Sequence, residues 1–219
     1  MRNSVIASVG VLALGAIAAP NGGHSWNGWG FSGNGACMND DQANKVAHNF
    51  EALIAAYTND VANAVLTPGV EDYSDSVIEL IDGGCPSSSP GPAAYIALGS
   101  ATFDSRADFE AGQGGQPNIT FELLNVWHNC DTVTLRWRSP LPNPGPAPPP
   151  PAVQEQVTGI VVLETTFNGW QASEQFLINT IYSEFNSGAW LYDLGVFKPN
   201  CSATPSKRTR SLPNYFARL

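Results

Sequence analysis

The stretch 71-EDYSDS-76 sets two acids, a tyrosine, a serine, a third acid and a second serine side by side. Carboxylic acids and phenols held in one pocket can move protons on a bound substrate. Two of these residues have a simpler role. Ser74 suits the cap of a following helix, and Asp75 complements the positive end of its dipole. That leaves Tyr73, expected at a pocket mouth, and Asp72, the one acid in the stretch with a catalytic use. Tyr57 adds a second phenol shortly before, and paired phenols fit a polar spot in an apolar pocket. Other chemistries lack their motifs. The chain has no G-x-S-x-G elbow, Walker loop, H-E-x-x-H pair or dinucleotide fingerprint. The turn Gly112-Gln113-Gly114-Gly115 follows a helix pattern, which makes it a poor phosphate cradle. The histidines (His24, His48, His128) and the cysteines are scattered, so neither a metal site nor a cofactor is expected.

The elements around these residues fall into two blocks. Asn39 with Gln42 forms a capping-box pattern ahead of an apolar stripe at Ala43, Val46, Ala47, Phe50, Leu53, Ile54 and Tyr57. A short second helix carries Val61, Ala62, Val65 and Leu66, and Thr67-Pro68-Gly69 stops it. A third helix follows Ser74 and ends at Gly83-Gly84; Asp104 is expected to cap a fourth, over about 105–111. Residues 94–101 read as a short strand or packed loop. After Pro117 the pattern turns to β. Strands are expected at 119–127 and 132–138 around the turn 128-HNCD-131, then at 157–167 and 174–185, with 189-AWLYDL-194 as a last strand or strand extension. The run 140–151 holds eight of the 17 prolines and is an extended loop inserted between strands. Helices first and an antiparallel meander second make an α+β plan.

Bulk features bear on where the chain works. Arg2 precedes an apolar run from Val5 to Ala19 that is too short for a bilayer and ends in Ala16-Ile17-Ala18. Residues 1–18 are therefore expected to be a secretory signal peptide, and 19–36 a flexible leader containing Trp26, Trp29 and Phe31. Cys37, Cys85, Cys130 and Cys201 then imply two disulfides, with three pairings open. Asn118-Ile119-Thr120 and Asn200-Cys201-Ser202 are glycosylation sequons, the second overlapping a cysteine expected to be bonded. All 19 acids lie between Asp40 and Asp193 with four basic residues among them, so the body carries about −15 and repels nucleic acid. No later segment is apolar enough to span a membrane. The tail 201–219 is basic, and Lys207-Arg208 is a candidate cleavage pair.

Several local words carry a resemblance: 46-VAHNFEALIAAYTND-60, 72-DYSDSVIELI-81, 104-DSRADFEAGQGGQP-117, 125-NVWHNCDTVTLRW-137 and 189-AWLYDLGVFKP-199. Over about residues 37–200 the chain resembles the nuclear transport factor 2-like superfamily of cystatin-like α+β cones, and within it a group of small secreted fungal proteins. The resemblance implies N-terminal helices packed on a curved antiparallel sheet around an apolar pocket. It also implies a site that includes Phe50, Tyr57, Tyr73, Leu135 and Trp137. The superfamily includes SnoaL-type cyclases, ketosteroid isomerase and scytalone dehydratase, along with members that do no chemistry. The segment from Tyr57 to Ser76 is similar to the dehydratase region that holds two pocket tyrosines. The dehydratase histidines fall near Thr120 and Trp137, neither of which is a base, and His128 is expected at the rim. The isomerase pattern needs a buried acid, for which Asp72, Asp75, Glu122 and Glu184 are the candidates. Three readings follow: a cone that binds a small apolar ligand or a partner without catalysis, a cofactor-free lyase, isomerase or cyclase, and an extracellular surface-interaction protein. The superfamily also implies homodimers through the open sheet face.

Overall fold

The computed structural model describes residues 36–86, 95–143, 153–196 and 198. The expected signal peptide, aromatic leader, most of the proline run, Cys201, Asn200 and the basic tail lie outside the described residues.

Helix α1 spans Asp40–Ala55 and starts as its sequence dictates. The Asn39 side chain accepts from the Gln42 N–H, and the Gln42 side chain accepts from the Asn39 N–H. Its stripe of Ala43, Val46, Ala47, Phe50 and Leu53 is buried against the sheet. Helix α2 (Asn59–Val65) is capped by Thr58, whose hydroxyl accepts from Val61 N–H.

The helix stops ahead of Thr67-Pro68-Gly69, as expected, and the chain enters strand β1 (Leu66–Tyr73), which the sequence reading did not include. Leu66 pairs with Ile178 and Glu71 with Thr180, so the residues between bulge outward. β1 is an edge strand, and an edge tolerates the proline that a central strand would reject. Helix α3 (Asp75–Ile81) follows directly, with Ser74 as its cap. It ends at Gly83 and Gly84, both at positive φ. Helix α4 (Arg106–Gln113) is capped by Ser105, one residue beyond the expected Asp104.

Strands β2 (Glu122–His128), β3 (Thr132–Ser139), β4 (Val157–Phe167) and β5 (Phe176–Phe185) form the meander. The sheet order is β1-β5-β4-β3-β2. It is mixed, because β1 runs parallel to β5 while the other pairs are antiparallel. This corrects the wholly antiparallel expectation. The tract 189–194 is also corrected: it belongs to helix α5 (Ser187–Asp193). Asn186 caps that helix through Ala189 N–H. Val196 N–H donates back to Leu191 O, with Gly195 at φ 73°, which closes it in a Schellman turn. No strand forms over the described part of 94–101.

The core lies between α1 and the inner sheet face, where Val133, Leu135, Val161, Leu163, Ile178 and Ile181 are fully enclosed. A disulfide between Cys37 and Cys130 ties the start of α1 to the β2–β3 turn. Met38 N–H to Cys130 O and His128 Nε2 to Asp40 Oδ1, at 2.8 Å, reinforce the same join. Cys85 is exposed and unbonded among the described residues, so the expected second disulfide is not seen there.

Candidate functional site

Beyond the tip of α1 the sheet and helices do not close completely. They leave a cavity of about 570 Å³, within the range of small-molecule sites. Its wall is strongly aromatic. Phe121 stacks on Trp137 with centroids 4.7 Å apart, Trp137 meets Phe185 edge-on at 5.8 Å, and Phe185 meets Trp190 at 5.1 Å. Across the cavity Phe103 meets Phe109 edge-on at 5.6 Å. Phe50 and Ile54 from α1 and Val77, Leu80 and Ile81 from α3 complete most of the apolar lining.

The polar lining is sparse: Asp72, Gln113, Gln116, Asn143 and Ser183. Asp72 is the one ionisable residue among them. The alternation of β1 turns its side chain inward beside Val70, and only 6% of the residue is exposed. Its backbone is fixed by Asp72 N–H to Phe103 O at 2.8 Å and Thr102 N–H to Asp72 O at 2.7 Å. Asp72 Oδ1 is buried without a hydrogen-bond partner among the described residues. Burial first, and the nearby Glu184 carboxylate second, push its pKa up to about 7. Asp72 therefore holds its proton through mildly acid pH and gives it up near neutrality, which suits a general acid–base.

Glu184 is the last residue but one of β5 and accepts from Asp75 N–H and Ser76 N–H, at 3.0 and 3.1 Å, and from the Ser76 hydroxyl. It thus holds the N-terminus of α3, and its charge lies on the Asp72 side of that helix. The other two acids are engaged elsewhere. Asp75 accepts from Gly99 N–H, and Glu122 pairs with Arg138 at 2.6 Å.

The tyrosines are not where the sequence suggested. Tyr73 follows Asp72 in β1, so it points to the opposite face of the sheet. There it stacks on Tyr182 at 5.6 Å and donates to Glu71. Tyr57 lies past the end of α1, donates to Asn59 Oδ1 at 2.9 Å and packs beside Phe109, outside the cavity lining. Burial and the Glu110 charge raise its pKa, and the Glu71 bond raises that of Tyr73. Leu135 is fully buried in the core and does not line the cavity. Phe50 and Trp137 do line it. Thr120 is exposed, and His128 is committed to Asp40, which raises its pKa, so neither reaches the cavity. Phe103, Phe109, Phe121, Phe185 and Trp190 are site residues that sequence reading missed. In β5 the inward alternation of Ile181, Ser183 and Phe185 could have flagged one of them.

The described residues hold no cluster of His, Cys, Asp or Glu able to take a metal, and no helix among them is long and apolar enough to cross a membrane.

Comparison with known proteins places the helix-first α+β layer in a family. Residues 36–197 match the family model of the NTF2-like domain. The chain belongs to that family. Among solved structures it is similar to a candidate SnoaL-like polyketide cyclase from Jannaschia, at 14% identity and a TM-score of 0.43, over 74% of this chain and 99% of that one. It is also similar to IdmH, a candidate polyketide cyclase from Streptomyces antibioticus, at 12% identity and 0.46, over 70% and 99%. A candidate ketosteroid isomerase from Kribbella flavida gives 11% and 0.43, over 79% and 89%. At this distance these likenesses say nothing about what the present chain binds. No curated protein matches it.

Proposed function

We propose that this NTF2-like domain takes a small, uncharged, mainly apolar molecule into its cavity and that Asp72 moves a proton on it. One observation carries the reading: among the described residues, a buried carboxyl group with a pKa raised to about 7 is the one ionisable side chain lining an aromatic cavity. An enzyme with one such group suits a proton shift beside a carbonyl. The Asp72 carboxylate removes a proton from the carbon next to the carbonyl and returns it to another position, so the group ends as it began. A cationic residue would be needed to welcome a carboxylate or phosphate ligand, and none lines the cavity among the described residues.

The sparse polar lining equally supports the non-catalytic binder, which uses the same cavity. One experiment divides them. The full chain, secreted from a eukaryotic host, is incubated in deuterated buffer with 2-tetralone, a neutral aryl ketone with exchangeable α-protons. We expect NMR to show exchange above background, rising through a pKa near 7 and falling by about 10²–10⁴ in Asp72→Asn. Binding with no exchange, or exchange indifferent to Asp72→Asn, sinks the enzyme and leaves the binder.

The same proposal includes export of the chain, for which the Cys37–Cys130 bond gives support, since disulfides persist in oxidising compartments. The homodimer implied by the resemblance would use the outer sheet face, where Ile160, Tyr182 and Trp127 are about half exposed.

A further inference from the structure

The sequon Asn118-Ile119-Thr120 lies in the irregular link between α4 and β2. This link forms one side of the cavity. Pro117 and Ile119 both line it, and Gln116 and Pro117 are lining residues that are also exposed, so they mark its mouth. Ile81 of α3, another lining residue, is 52% exposed and belongs to the mouth as well.

Burial alternates along the link. Ile119 and Phe121 turn in, while Asn118 and Thr120 are exposed. An extended chain places residues two apart on the same side. The asparagine amide and the threonine hydroxyl, the two groups that define a glycosylation acceptor, therefore face solvent together. No fold change is needed to offer them.

We propose that Asn118 carries an N-linked glycan that stands over the cavity mouth and slows the passage of molecules in and out. This rests on the export and the cavity proposed above. In the modification, the Asn118 amide nitrogen displaces the pyrophosphate of a lipid-linked oligosaccharide. The N–C bond to the sugar's anomeric carbon forms, the C–O bond to the pyrophosphate breaks, the amide gives up one proton, and the lipid pyrophosphate leaves. The neutral, hydrated glycan then occupies solvent beside Gln116 and Pro117, while Ile119 stays anchored in the wall.

The test measures access without needing a ligand. A thiol is placed in the lining by Val77→Cys, with Leu80→Cys as a second variant in case the first fails to fold. Each is made in the full chain with Asn118 intact and with Asn118→Gln, and secreted from a eukaryotic host. Peptide mapping reads occupancy of Asn118 and the rate at which a bulky maleimide labels the new cysteine. Cys85, exposed and not among the lining residues, serves as the internal reference. The expected result is a glycan on Asn118 and several-fold slower labelling of the lining thiol than in Asn118→Gln, with equal labelling of Cys85. Secreted protein with Asn118 unmodified overturns the proposal, as do equal rates with and without the glycan. A chain retained in the cytosol overturns export and this proposal together. Because labelling does not depend on Asp72, loss of the proton-transfer reading would leave the result standing.

Discussion

Replacing Asp72 by asparagine should make the protein more stable at neutral and alkaline pH, although a hydrogen-bonding group is merely exchanged for another. In the unfolded chain an aspartate loses its proton near 3.8, whereas in the fold Asp72 keeps it until about 7. Between those values the folded state binds more protons than the unfolded state, so stability falls as pH rises. Below about pH 4 both states are protonated and the effect vanishes. Above about pH 7 the fold carries a buried charge at full cost. At ~1.4 kcal/mol for each tenfold change, the rise comes to about 4 kcal/mol. Asp72 is nearly enclosed, so solvent screening does little to reduce this. The assay is urea unfolding of wild type and Asp72→Asn at pH 4, 5, 6, 7 and 8. Titrating groups that do not interact with Asp72 cancel in the difference between the two proteins. That difference should shift in favour of the variant by about 1.4 kcal/mol for each pH unit between 4 and 7 and then level off. A difference flat across the range would mean that Asp72 ionises as an ordinary surface acid, and the proton-transfer reading would go with it. The physical basis is a site that holds a charge the fold would be more stable without.

Gly112 lies against the Phe103 ring, and an added Cβ would fall 2.4 and 2.6 Å from two ring atoms. Alanine normally gains about 0.5–1 kcal/mol over glycine in a helix, but pushing the ring aside costs about 1–3 kcal/mol. Gly112→Ala should therefore melt earlier and, with Phe103 driven into the cavity, slow the exchange of 2-tetralone protons. Reducing Cys37–Cys130, which spans 93 residues of sequence, should cost about 4–5 kcal/mol on the chain-entropy account, read as a drop in the urea midpoint. Tyr57→Phe and Tyr73→Phe each remove a hydroxyl bonded outside the cavity, so stability should change by less than about 0.5 kcal/mol and proton exchange not at all. A large loss of exchange in either variant would return the phenols to the site.

Much of the plan was legible because it is local. Asn39 and Gln42 specify the start of α1, Ser74 specifies that of α3, and alternation marks β3, β4 and β5. The words around these residues were enough to point to the family and its α+β layers. Where local signals conflict, the sequence misleads. Thr67-Pro68-Gly69 stands just past the end of α2, as a helix stop should, yet nothing local shows that these residues then bulge within an edge strand, because β5 is the partner. The tract 189–194 is apolar enough for a strand, but its bounding Asn186 and Gly195 were the better guide, as cap and stop of α5.

The site shows the same division. The sequence singled out Asp72 and Tyr73 as neighbours, but it could not say which would face inward. A strand sends successive side chains to opposite faces, and only its pairing with β5 and its bridge to Phe103 settle the choice. Tertiary structure then decided the chemistry available. It brought rings from five separate stretches around one carboxyl group, withdrew that group from water and set Glu184 close enough to oppose its ionisation. Residue types and caps are properties of short segments. A shifted pKa belongs to a place, and the place exists only when distant segments meet.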